Sequence, residues 1–331
     1  MNYKYIIAII IAFHVFSCKN KTIQITNSGN IFGTTYKITY ENGHDLHEMI
    51  KAEMNKVNKS LSIFDSSSTI SKVNRNIKTD LDDYFLTVFK KAEEVSEFSD
   101  GAFDITVGPL VNAWGFGFSN KEHITPELID SLLQLTGYEK VSLINGQIIK
   151  KHPGIMLNCS AIAKGFACDR VASLLEKEGC GNFMVEIGGE VVTRGINSAK
   201  GREWHPAVRL PDDKAFWNPE YKAILKVKDK AMATSGNYLN YYIEDGQKYA
   251  HTINPKTGYP ALSNLLSVTV FAPDCMTADA YATVFMVAGL EKSKELYKET
   301  DNLEVYFIYD EEGKFKSWMS EGFSKFIFKE Y

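Results

Sequence analysis

The sequence predicts an α+β fold organised as a single compact domain, and three observations support this prediction. Segments with helical periodicity and segments of strand-like alternation both occur along the chain, which favours a fold that packs helices on a sheet. No internal repeat, low-complexity tract or linker divides the chain. With 331 residues, 44% of them hydrophobic and 24% charged, the chain is long enough to bury a complete core.

The N-terminal residues predict an export signal. Lys4 stands in a short polar start, and an apolar run over residues 5–13 leads to Ser17 and Cys18. A run of this length is typical of a secretory signal and is too short for a durable membrane span. A cysteine that follows a small residue at the end of such a run resembles a bacterial lipobox, and the alternative is an ordinary signal peptide with an incidental cysteine. We expect a signal over residues 1–17, lipidation of Cys18, and a protein tethered to a membrane of the bacterial cell envelope, on its extracytoplasmic side.

The remaining elements can be justified in chain order. Residues 19–30 are polar and predict, together with Cys18, a lipidated tether over residues 18–30, so that the folded domain spans residues 31–331. Apolar residues at helical spacing predict two amphipathic helices after Leu46 and around Phe85–Val95, and Thr125-Pro126 and Ser160 are predicted to begin two more. A further helix is predicted over residues 277–288. Strand-like runs occupy residues 34–40, 183–187, 190–194, 205–210, 221–227, 265–272 and 303–309.

Charge and cysteine usage exclude several classes of function. The formal net charge is −4 and no lysine or arginine cluster stands out, so the electrostatic footprint of a nucleic-acid-binding protein is missing. Four cysteines follow Cys18, and their spacing matches no CxxC metal pattern. We expect these four to be buried as small hydrophobic residues: Cys159, Cys168, Cys180 and Cys275.

The stretch MTADAYATV, residues 276–284, is the first candidate for chemistry. If it is helical, Asp279 and Thr283 lie on one face and direct a carboxylate and a hydroxyl to the same region. Oxygen ligands of this kind suit Mg²⁺. In the structural alternative, Asp279 is a first-turn charge favoured by the helix dipole and Thr283 is a packing residue.

Two glycine-containing stretches allow close approach of a ligand. NCSAIAKGFACDR, residues 158–170, places small residues before a helix start, where free N–H groups attract phosphate. VEIGGEVVTRG, residues 185–195, places Gly188-Gly189 between two strands, which also suits an ordinary hairpin turn. Close packing of a helix on a sheet explains the small residues of the first stretch equally well.

The stretch GAFDITVGPLVNAWGFG, residues 101–117, mixes aromatic residues with glycines. Phe103, Trp114 and Phe116 could form a flat apolar wall for a ring system, and Asp104 could accept a hydrogen bond from it. The alternative is that these aromatic residues belong to the core.

The stretch HTINPKTGYP, residues 251–260, predicts a stiff loop that begins with a histidine. Pro255 and Pro260 fix their own φ angles and restrict the residues before them. A histidine held in place near neutral pH is the usual general base. His251 is therefore a candidate base, and a structural hydrogen-bonding role is the alternative.

Taken together and in this order, these motifs resemble the ApbE family of FAD:protein FMN transferases. The resemblance covers most of residues 31–290, including LSIFDSSSTISKVN at 61–74, ATSGNY at 233–238 and TADAYAT at 277–283. It implies mixed or antiparallel sheets flanked by helices, related to the T-fold. Phe32, Asn158, Asn254 and Ala282 depart from residues that are common in the family.

The resemblance also implies ligands and roles for individual residues. FAD would be bound as a substrate with Mg²⁺ at its pyrophosphate, and the metal would be held by Asp279, Thr283 and the carbonyl of Ala163. His251 resembles the proposed base of the family. Contacts to FAD are implied for Phe32, Phe64, Ala102, Phe103, Asp104, Ser160, Phe166 and Ile253.

The implied activity is transfer of FMN from FAD to a threonine or serine of an acceptor protein, with release of AMP. The family suggests a redox-pump subunit or another exported flavoprotein as the acceptor. Two alternatives remain open from the sequence: hydrolysis of FAD to FMN and AMP, and flavin binding without catalysis.

Overall fold

The structure is a computed structural model that describes residues 23–118, 121–212, 220–237, 241–244, 247–261 and 263–331. The predicted signal peptide and Cys18 lie outside the described residues. The α-helices are α1 His47–Leu61, α2 Thr69–Asn74, α3 Asp83–Phe98, α4 Gly108–Ala113, α5 Pro126–Leu133, α6 Ala163–Lys177, α7 Cys275–Ala288 and α8 Leu290–Tyr297. In the part of the chain that is described, no helix combines the length and apolarity that crossing a membrane requires.

In the described ranges, the strands form one large sheet and three small ones. They are β1 Ile23–Ile31, β2 Thr34–Asn42, β3 Val141–Ile144, β4 Gln147–Lys150, β5 Phe183–Ile187, β6 Glu190–Arg194, β7 Ala207–Arg209, β8 Tyr221–Leu225, β9 Ala231–Gly236, β10 Tyr241–Glu244, β11 Gln247–Ala250, β12 Leu265–Ala272, β13 Glu304–Glu311, β14 Lys314–Met319 and β15 Ile327–Glu330. The large sheet has eight strands in the order β1-β2-β5-β6-β9-β12-β13-β14. Its strand pairs are antiparallel. The predicted α+β fold is therefore confirmed.

The large sheet separates two hydrophobic cores. Strand residues alternate between its faces, so that Tyr36, Ile38 and Tyr40 of β2 enter the main core. This core is closed by helices that include α1, α3, α6 and α7. On the other face, a second core lies between the large sheet and the three-stranded sheet β15-β8-β7. Helices thus cover one face of the large sheet, and a second sheet covers part of the other.

The tether predicted over residues 18–30 is wrong for residues 23–30, which form most of β1. This strand pairs with β2 from Ile23↔Asn42 to Ile31↔Thr34. Asn27 breaks the apolar alternation, but its buried amide donates to Asp45 and accepts from the Tyr40 hydroxyl. A polar residue satisfied in this way can occupy a core position.

The boundaries of three other predicted elements shift for local reasons. Helix α6 begins at Ala163 and not at Ser160, because the carbonyl of Cys159 accepts from the N–H groups of residues 162 and 163 in a preceding turn. Helix α7 begins at Cys275, two residues before the predicted start, after the N-cap Asp274. The strand predicted over 205–210 shortens to β7 because Pro206 lacks an N–H.

Candidate active site

Asp279 joins the start of helix α6 to helix α7. Its side chain is 2% exposed, and its Oδ2 accepts a hydrogen bond of 2.9 Å from the N–H of Gly165. Helix α6 has no side-chain cap of its own, so the carboxylate satisfies an N–H group of the first turn that would otherwise lack a partner. Ala163 opens the same turn, and Thr283 lies half-buried one turn after Asp279. The predicted helix and its shared face are thus confirmed.

The two helices cap each other. Asp169 of α6 accepts hydrogen bonds of 2.9 and 2.8 Å from the N–H groups of Cys275 and Met276, which open α7. The close approach depends on Gly165, because a Cβ there would lie 2.2 Å from the carbonyl oxygen of Cys275. Gly165 at this helix start is therefore needed for packing, whether or not a ligand binds there.

Lys164 lies between two buried carboxylates. Its Nζ is 3.8 Å from Oδ1 of Asp279 and 3.4 Å from Oε1 of Glu190. Burial raises the pKa of Glu190 above its ordinary value, although the Lys164 ammonium opposes this shift. Burial lowers the pKa of Lys164, but the carboxylates of Asp279 and Glu190 outweigh this effect and keep it above its ordinary value. The Oε2 atom of Glu190 is buried without a hydrogen-bond partner among the described residues.

Two hairpin turns lie at this end of the sheet. The β1–β2 turn holds Phe32 at φ 53° and Gly33 at φ 72°, and a phenylalanine in this left-handed region costs about 1–2 kcal/mol. In the β5–β6 turn, the N–H of Gly188 donates to the carbonyl of Thr35 at 2.9 Å. A Cβ on Gly188 would lie 2.9 Å from Cγ2 of Thr34 and 3.3 Å from Cδ of Lys164. This glycine therefore lets the two turns close over Lys164.

The segment 100–107 connects this region to the loop of His251. The N–H of Asn158 donates to the carbonyl of Ile105 at 2.7 Å, which ties the segment to the chain leading into α6. At its other end, the Asp100 carboxylate forms an ion pair with Lys256 of the 251–260 loop. The segment therefore contacts both the chain leading into α6 and the loop that His251 begins.

Asp104 is held within its own loop. Oδ1 accepts hydrogen bonds of 2.7 Å from both the N–H and the hydroxyl of Thr106. Burial raises the pKa of Asp104 above its ordinary value, against these hydrogen bonds. Ala102 is half-buried beside it. The carboxylate thus stabilises the loop, and a flavin contact would be an additional role.

The aromatic residues of 101–117 do not form a single wall. Phe103 is 2% exposed and belongs to the main core. Trp114 and Phe116 belong to a separate cluster that includes Ile253. The proposed continuous wall is therefore wrong, because the chain turns through helix α4 between Phe103 and Trp114.

His251 begins a tight loop directly after β11. Its ring centroid lies 6.3 Å from that of Phe116 in an edge-to-face arrangement. The loop closes on itself through Asn254, whose N–H donates to the carbonyl of Tyr259 and whose carbonyl accepts from Gly258. Trp114 Nε1 donates to the carbonyl of Gly258 at 2.8 Å and anchors the loop from outside. These contacts close the loop into a tight turn, and its stiffness stays a prediction.

The other residues proposed to contact FAD differ in exposure. Phe64 is 70% exposed just after α1. Ser160 is exposed before α6, with its N–H donating to Oδ1 of Asn158 at 2.9 Å. Phe166 is 5% exposed and packs edge-to-face on Tyr84. Of these three, Phe64 is the side chain most available to a planar ligand, whereas Phe166 is largely committed to packing.

Sequence reasoning missed Lys164, Glu190 and Asp169 as site residues. Glu190 carries the one signal that could have revealed it, an acidic residue within the otherwise apolar start of a buried strand. A buried carboxylate requires a partner, and here that partner is Lys164. The structure places Asp279 in contact with Gly165 and Lys164, in the helix turn that Ala163 opens. His251 lies in a separate loop, which the segment 100–107 contacts through the ion pair of Asp100 with Lys256.

The residues at the α6–α7 contact fit a hard cation. Within the described ranges, no group of three or more histidine, cysteine, aspartate or glutamate side chains is arranged to hold a metal. The donors predicted from the sequence are of another kind: one carboxylate, one hydroxyl and one backbone carbonyl. Mg²⁺ binds with one or two carboxylates and completes its shell with water and substrate phosphate, so this donor set suits it.

Comparisons with known proteins identify the family of this chain. The ApbE family model matches residues 32–307. The FAD:protein FMN transferase of Haemophilus influenzae is 35% identical over 337 residues, which cover 97% of this chain and 96% of that protein. The enzyme of the same name from Vibrio cholerae is 34% identical, with 94% and 95% of the two chains covered.

Solved structures give the same result. The flavin transferase ApbE from Vibrio cholerae matches this fold with a TM-score of 0.82 at 34% identity, covering 92% of this chain and 99% of that chain. The flavinyl transferase ApbE from Pseudomonas stutzeri matches with a TM-score of 0.82 at 29% identity. This chain therefore belongs to the ApbE family and is a transferase like the relatives named here.

Proposed function

We propose that this protein transfers the FMN moiety of FAD to a threonine or serine hydroxyl of an exported acceptor protein and releases AMP. Membership of the ApbE family supports flavin transfer. The observation that carries the proposal is the contact between Asp279 and the first turn of α6. It combines an anionic oxygen ligand with a helix start of the kind that attracts phosphate.

The proposed reaction is a phosphoryl transfer. The acceptor oxygen forms a bond to the FMN phosphorus, the bond from that phosphorus to the bridging oxygen of the pyrophosphate breaks, and AMP leaves with the bridging oxygen. The proton of the acceptor hydroxyl passes to a base. Such transfers depend on positioning and charge stabilisation more than on covalent help from the protein.

Asp279, Thr283 and the Ala163 carbonyl would hold Mg²⁺ beside the pyrophosphate. The metal, when bound, neutralises charge on the phosphate oxygens. Lys164 adds a positive charge at the same place, because its Nζ lies 3.8 Å from Oδ1 of Asp279. Phosphate and cation would therefore meet at the start of α6.

His251 is the proposed base. The internal hydrogen bonds of its loop and the anchor from Trp114 fix the backbone that carries the imidazole. The strained turn at Phe32 and the exposed ring of Phe64 support flavin contacts, because backbone strain and exposed aromatic rings concentrate at ligand sites. Ala102, Phe103, Asp104, Ser160, Phe166 and Ile253 complete the proposed set.

Substitution of His251 by alanine tests the proposed reaction. Loss of a general base slows transfer by about 10²–10⁴-fold, whereas FAD binding should persist. FAD binding is measured by fluorescence, and transfer by mass spectrometry of a co-expressed acceptor. His123→Ala, which changes an exposed histidine, is the matched control. Full transfer activity in His251→Ala would remove the proposed role.

Two further outcomes separate flavin transfer from its alternatives. Rapid release of FMN and AMP from FAD and Mg²⁺ without any acceptor would indicate an FAD hydrolase. FMN fluorescence on a denaturing gel should appear on the acceptor band. If it appeared on no protein, a non-catalytic flavin-binding role would replace the proposal.

A further inference from the structure

A cavity of about 310 Å³ lies on the face of the large sheet opposite the helices. Thr26 and Thr39 form part of its floor, with a 3.0 Å hydrogen bond between their hydroxyls, and Met184 completes the same row across β1, β2 and β5. Trp204 and its neighbours supply a wall. We call this feature the sheet-end cavity.

The sheet-end cavity is separate from the proposed active site. Residues such as Tyr36 and Ile38 direct the other face of β2 into the main core, so the floor lies on the opposite side of the sheet. Thr26 is also six residues before the turn at Phe32 along β1. At about 3.4 Å per strand residue, this separation is close to 20 Å.

The lining is positively charged although the whole protein is acidic. Lys37, Lys200 and Arg202 line the cavity, and each is exposed. The acidic lining residue is Glu203. Two further carboxylates lie beside the lining in the strand registers, Glu186 opposite Lys37 and Glu41 opposite Gln24. Three cations from a strand and a loop converge on one concave polar space, which is the chemistry that recognises a phosphate group.

The cavity is larger than a free phosphate ion requires. A volume of about 310 Å³ is at the lower limit of small-molecule sites. Asn197 and the two threonines offer additional hydrogen-bonding groups for the part of the ligand that carries the phosphate. The size and lining therefore fit a small polar phosphate ester.

The position of the cavity indicates which kind of molecule would supply the phosphate group. Gln24, the second residue of β1, lines it. Residues 19–22 separate Cys18 from β1, and a step of at most about 3.6 Å per residue keeps the lipidation site within about 18 Å of Ile23. Phe328, which is 55% exposed, places its ring 4.4 Å from His205 at the lining. Exposed aromatic rings beside basic groups are typical of membrane-contacting surfaces.

We propose that the sheet-end cavity binds the phosphate of a membrane lipid headgroup. The inference that the phosphate belongs to a lipid rests on the proposed anchor at Cys18. Neither the phosphate site nor its test depends on flavin transfer. Binding there would hold the folded domain against the membrane in one orientation.

The pKa of the His205 ring reports directly on phosphate binding in the sheet-end cavity. Burial lowers the pKa of His205, and Arg202 and Lys200 lower it further, against Glu203. A bound phosphate would oppose these cations and raise this pKa. The experiment follows the His205 ring by NMR in the full-length lipidated chain, held in neutral detergent micelles, with His205→Gln used for assignment.

The probes are phosphatidylglycerol added to the micelles, phosphatidylcholine added in the same way, and inorganic phosphate in solution. We expect phosphatidylglycerol, whose headgroup is anionic, to raise the pKa of His205 saturably. Phosphatidylcholine should leave it unchanged, because its choline cation would be repelled by Lys37, Lys200 and Arg202. An equal shift with both lipids would overturn recognition of the phosphate by these cations. If inorganic phosphate raised the pKa of His205 as strongly as phosphatidylglycerol, the inference that the ligand is a lipid would be overturned. No shift with any probe would overturn the site.

Matched variants assign the effect to the cavity. Lys37→Gln with Arg202→Gln should weaken phosphatidylglycerol binding about 100-fold, because each lost charge-assisted hydrogen bond is worth about tenfold. Lys314→Gln with Lys316→Gln removes two exposed cations of β14, at the opposite edge of the large sheet, and should change nothing. Equal loss in both pairs would indicate general surface charge and contradict the proposal. Flavin transfer by the first pair, measured separately with a soluble acceptor, should equal that of the unmodified chain.

Discussion

Asp279 has three partners within a small volume. It accepts from the N–H of Gly165, lies near Lys164, and is proposed to bind a cation. Because each carboxylate oxygen has two acceptor positions, the contact to Gly165 leaves room for a metal ligand bond. The same side chain therefore has a structural and a proposed catalytic role, and a test must separate the two.

We expect Asp279→Asn to abolish the Mg²⁺ dependence of flavin transfer and to lower the rate at least 100-fold. The amide oxygen can still accept from Gly165, so the fold should be retained, but the anionic ligand is lost. Mg²⁺ titration of transfer is the measurement, with circular dichroism as the check on folding. Titration curves that match those of the unmodified chain would count against Asp279 as a ligand.

At the scale of elements, the contact between α6 and α7 positions the proposed site. Each helix supplies an aspartate that accepts from N–H groups in the first turn of the other, Asp169 for α7 and Asp279 for α6. A glycine at the crossing allows this approach. The caps satisfy donors that a buried helix start cannot leave without partners.

Gly165→Ala should destabilise the protein by about 3 kcal/mol, because the added Cβ would force the two helices apart. The free energy of unfolding, measured by chemical denaturation, gives the cost. Gly181→Ala is the matched control, since its Cβ would meet no atom within 4 Å. Equal stability of the two variants would show that the helices separate at no cost.

Glu53 connects α1 to two other helices. Its Oε1 accepts from Arg170 of α6 at 3.0 Å and from the Tyr84 hydroxyl of α3 at 2.7 Å, and Oε2 accepts from Lys56 at 3.0 Å. Burial raises the pKa of Glu53, but these hydrogen bonds more than offset it, so the pKa lies below its ordinary value.

We expect Glu53→Gln to lower the free energy of unfolding by about 1–2 kcal/mol at pH 7. A carboxyl group whose pKa is lower in the folded state contributes its full stability above its unfolded pKa, near 4.5. That contribution is lost as the pH falls through the folded pKa. The difference between variant and unmodified chain should therefore shrink below pH 4.5. Glu48→Gln, which changes a pair at the surface, should show no comparable difference at either pH.

At the scale of the whole molecule, the large sheet separates two kinds of surface. The proposed flavin site lies at the end of the sheet near the turns of Phe32 and Gly188, whereas the sheet-end cavity lies toward the start of β1. An anchor ahead of β1 would hold the cavity near the membrane and leave the flavin site facing away from it. A soluble domain of an exported acceptor could then reach the flavin site.

Cys18→Ser should move the protein from the membrane fraction to the soluble fraction and abolish incorporation of labelled palmitate, because a serine cannot form the thioether of the lipid anchor. Cell fractionation and lipid labelling are the measurements. Cys180→Ser removes a buried cysteine and should leave both unchanged. A Cys18→Ser protein that remained lipidated would exclude the proposed anchor.

Local patterns predicted α1, α3, α5, α6 and α7 and about half of the strands in the described residues, and they failed where a contact with another element decides the outcome. Helical spacing correctly predicted α1 and α3, because each presents its own apolar face. The strand β1 was predicted as a tether, because Asn27 looks polar until Tyr40 and Asp45 are seen to satisfy it. The single aromatic wall failed for the same reason, since adjacency along 101–117 did not determine which core each ring enters.

The sequence alone predicted the α+β class, the family resemblance, the stiff loop of His251 and the shared face of Asp279 and Thr283. These features depend on neighbours within a few residues, whose geometry follows from helix and turn periodicity. The hydrogen bond from Gly165 to Asp279 spans 114 residues of sequence. The cluster of Lys164, Glu190 and Asp279 also joins parts of the chain that are distant in sequence, and so does the charged cavity. Only packing of the helices and strands on the large sheet brings such groups together, because burial pairs a charge with whatever partner the tertiary fold supplies.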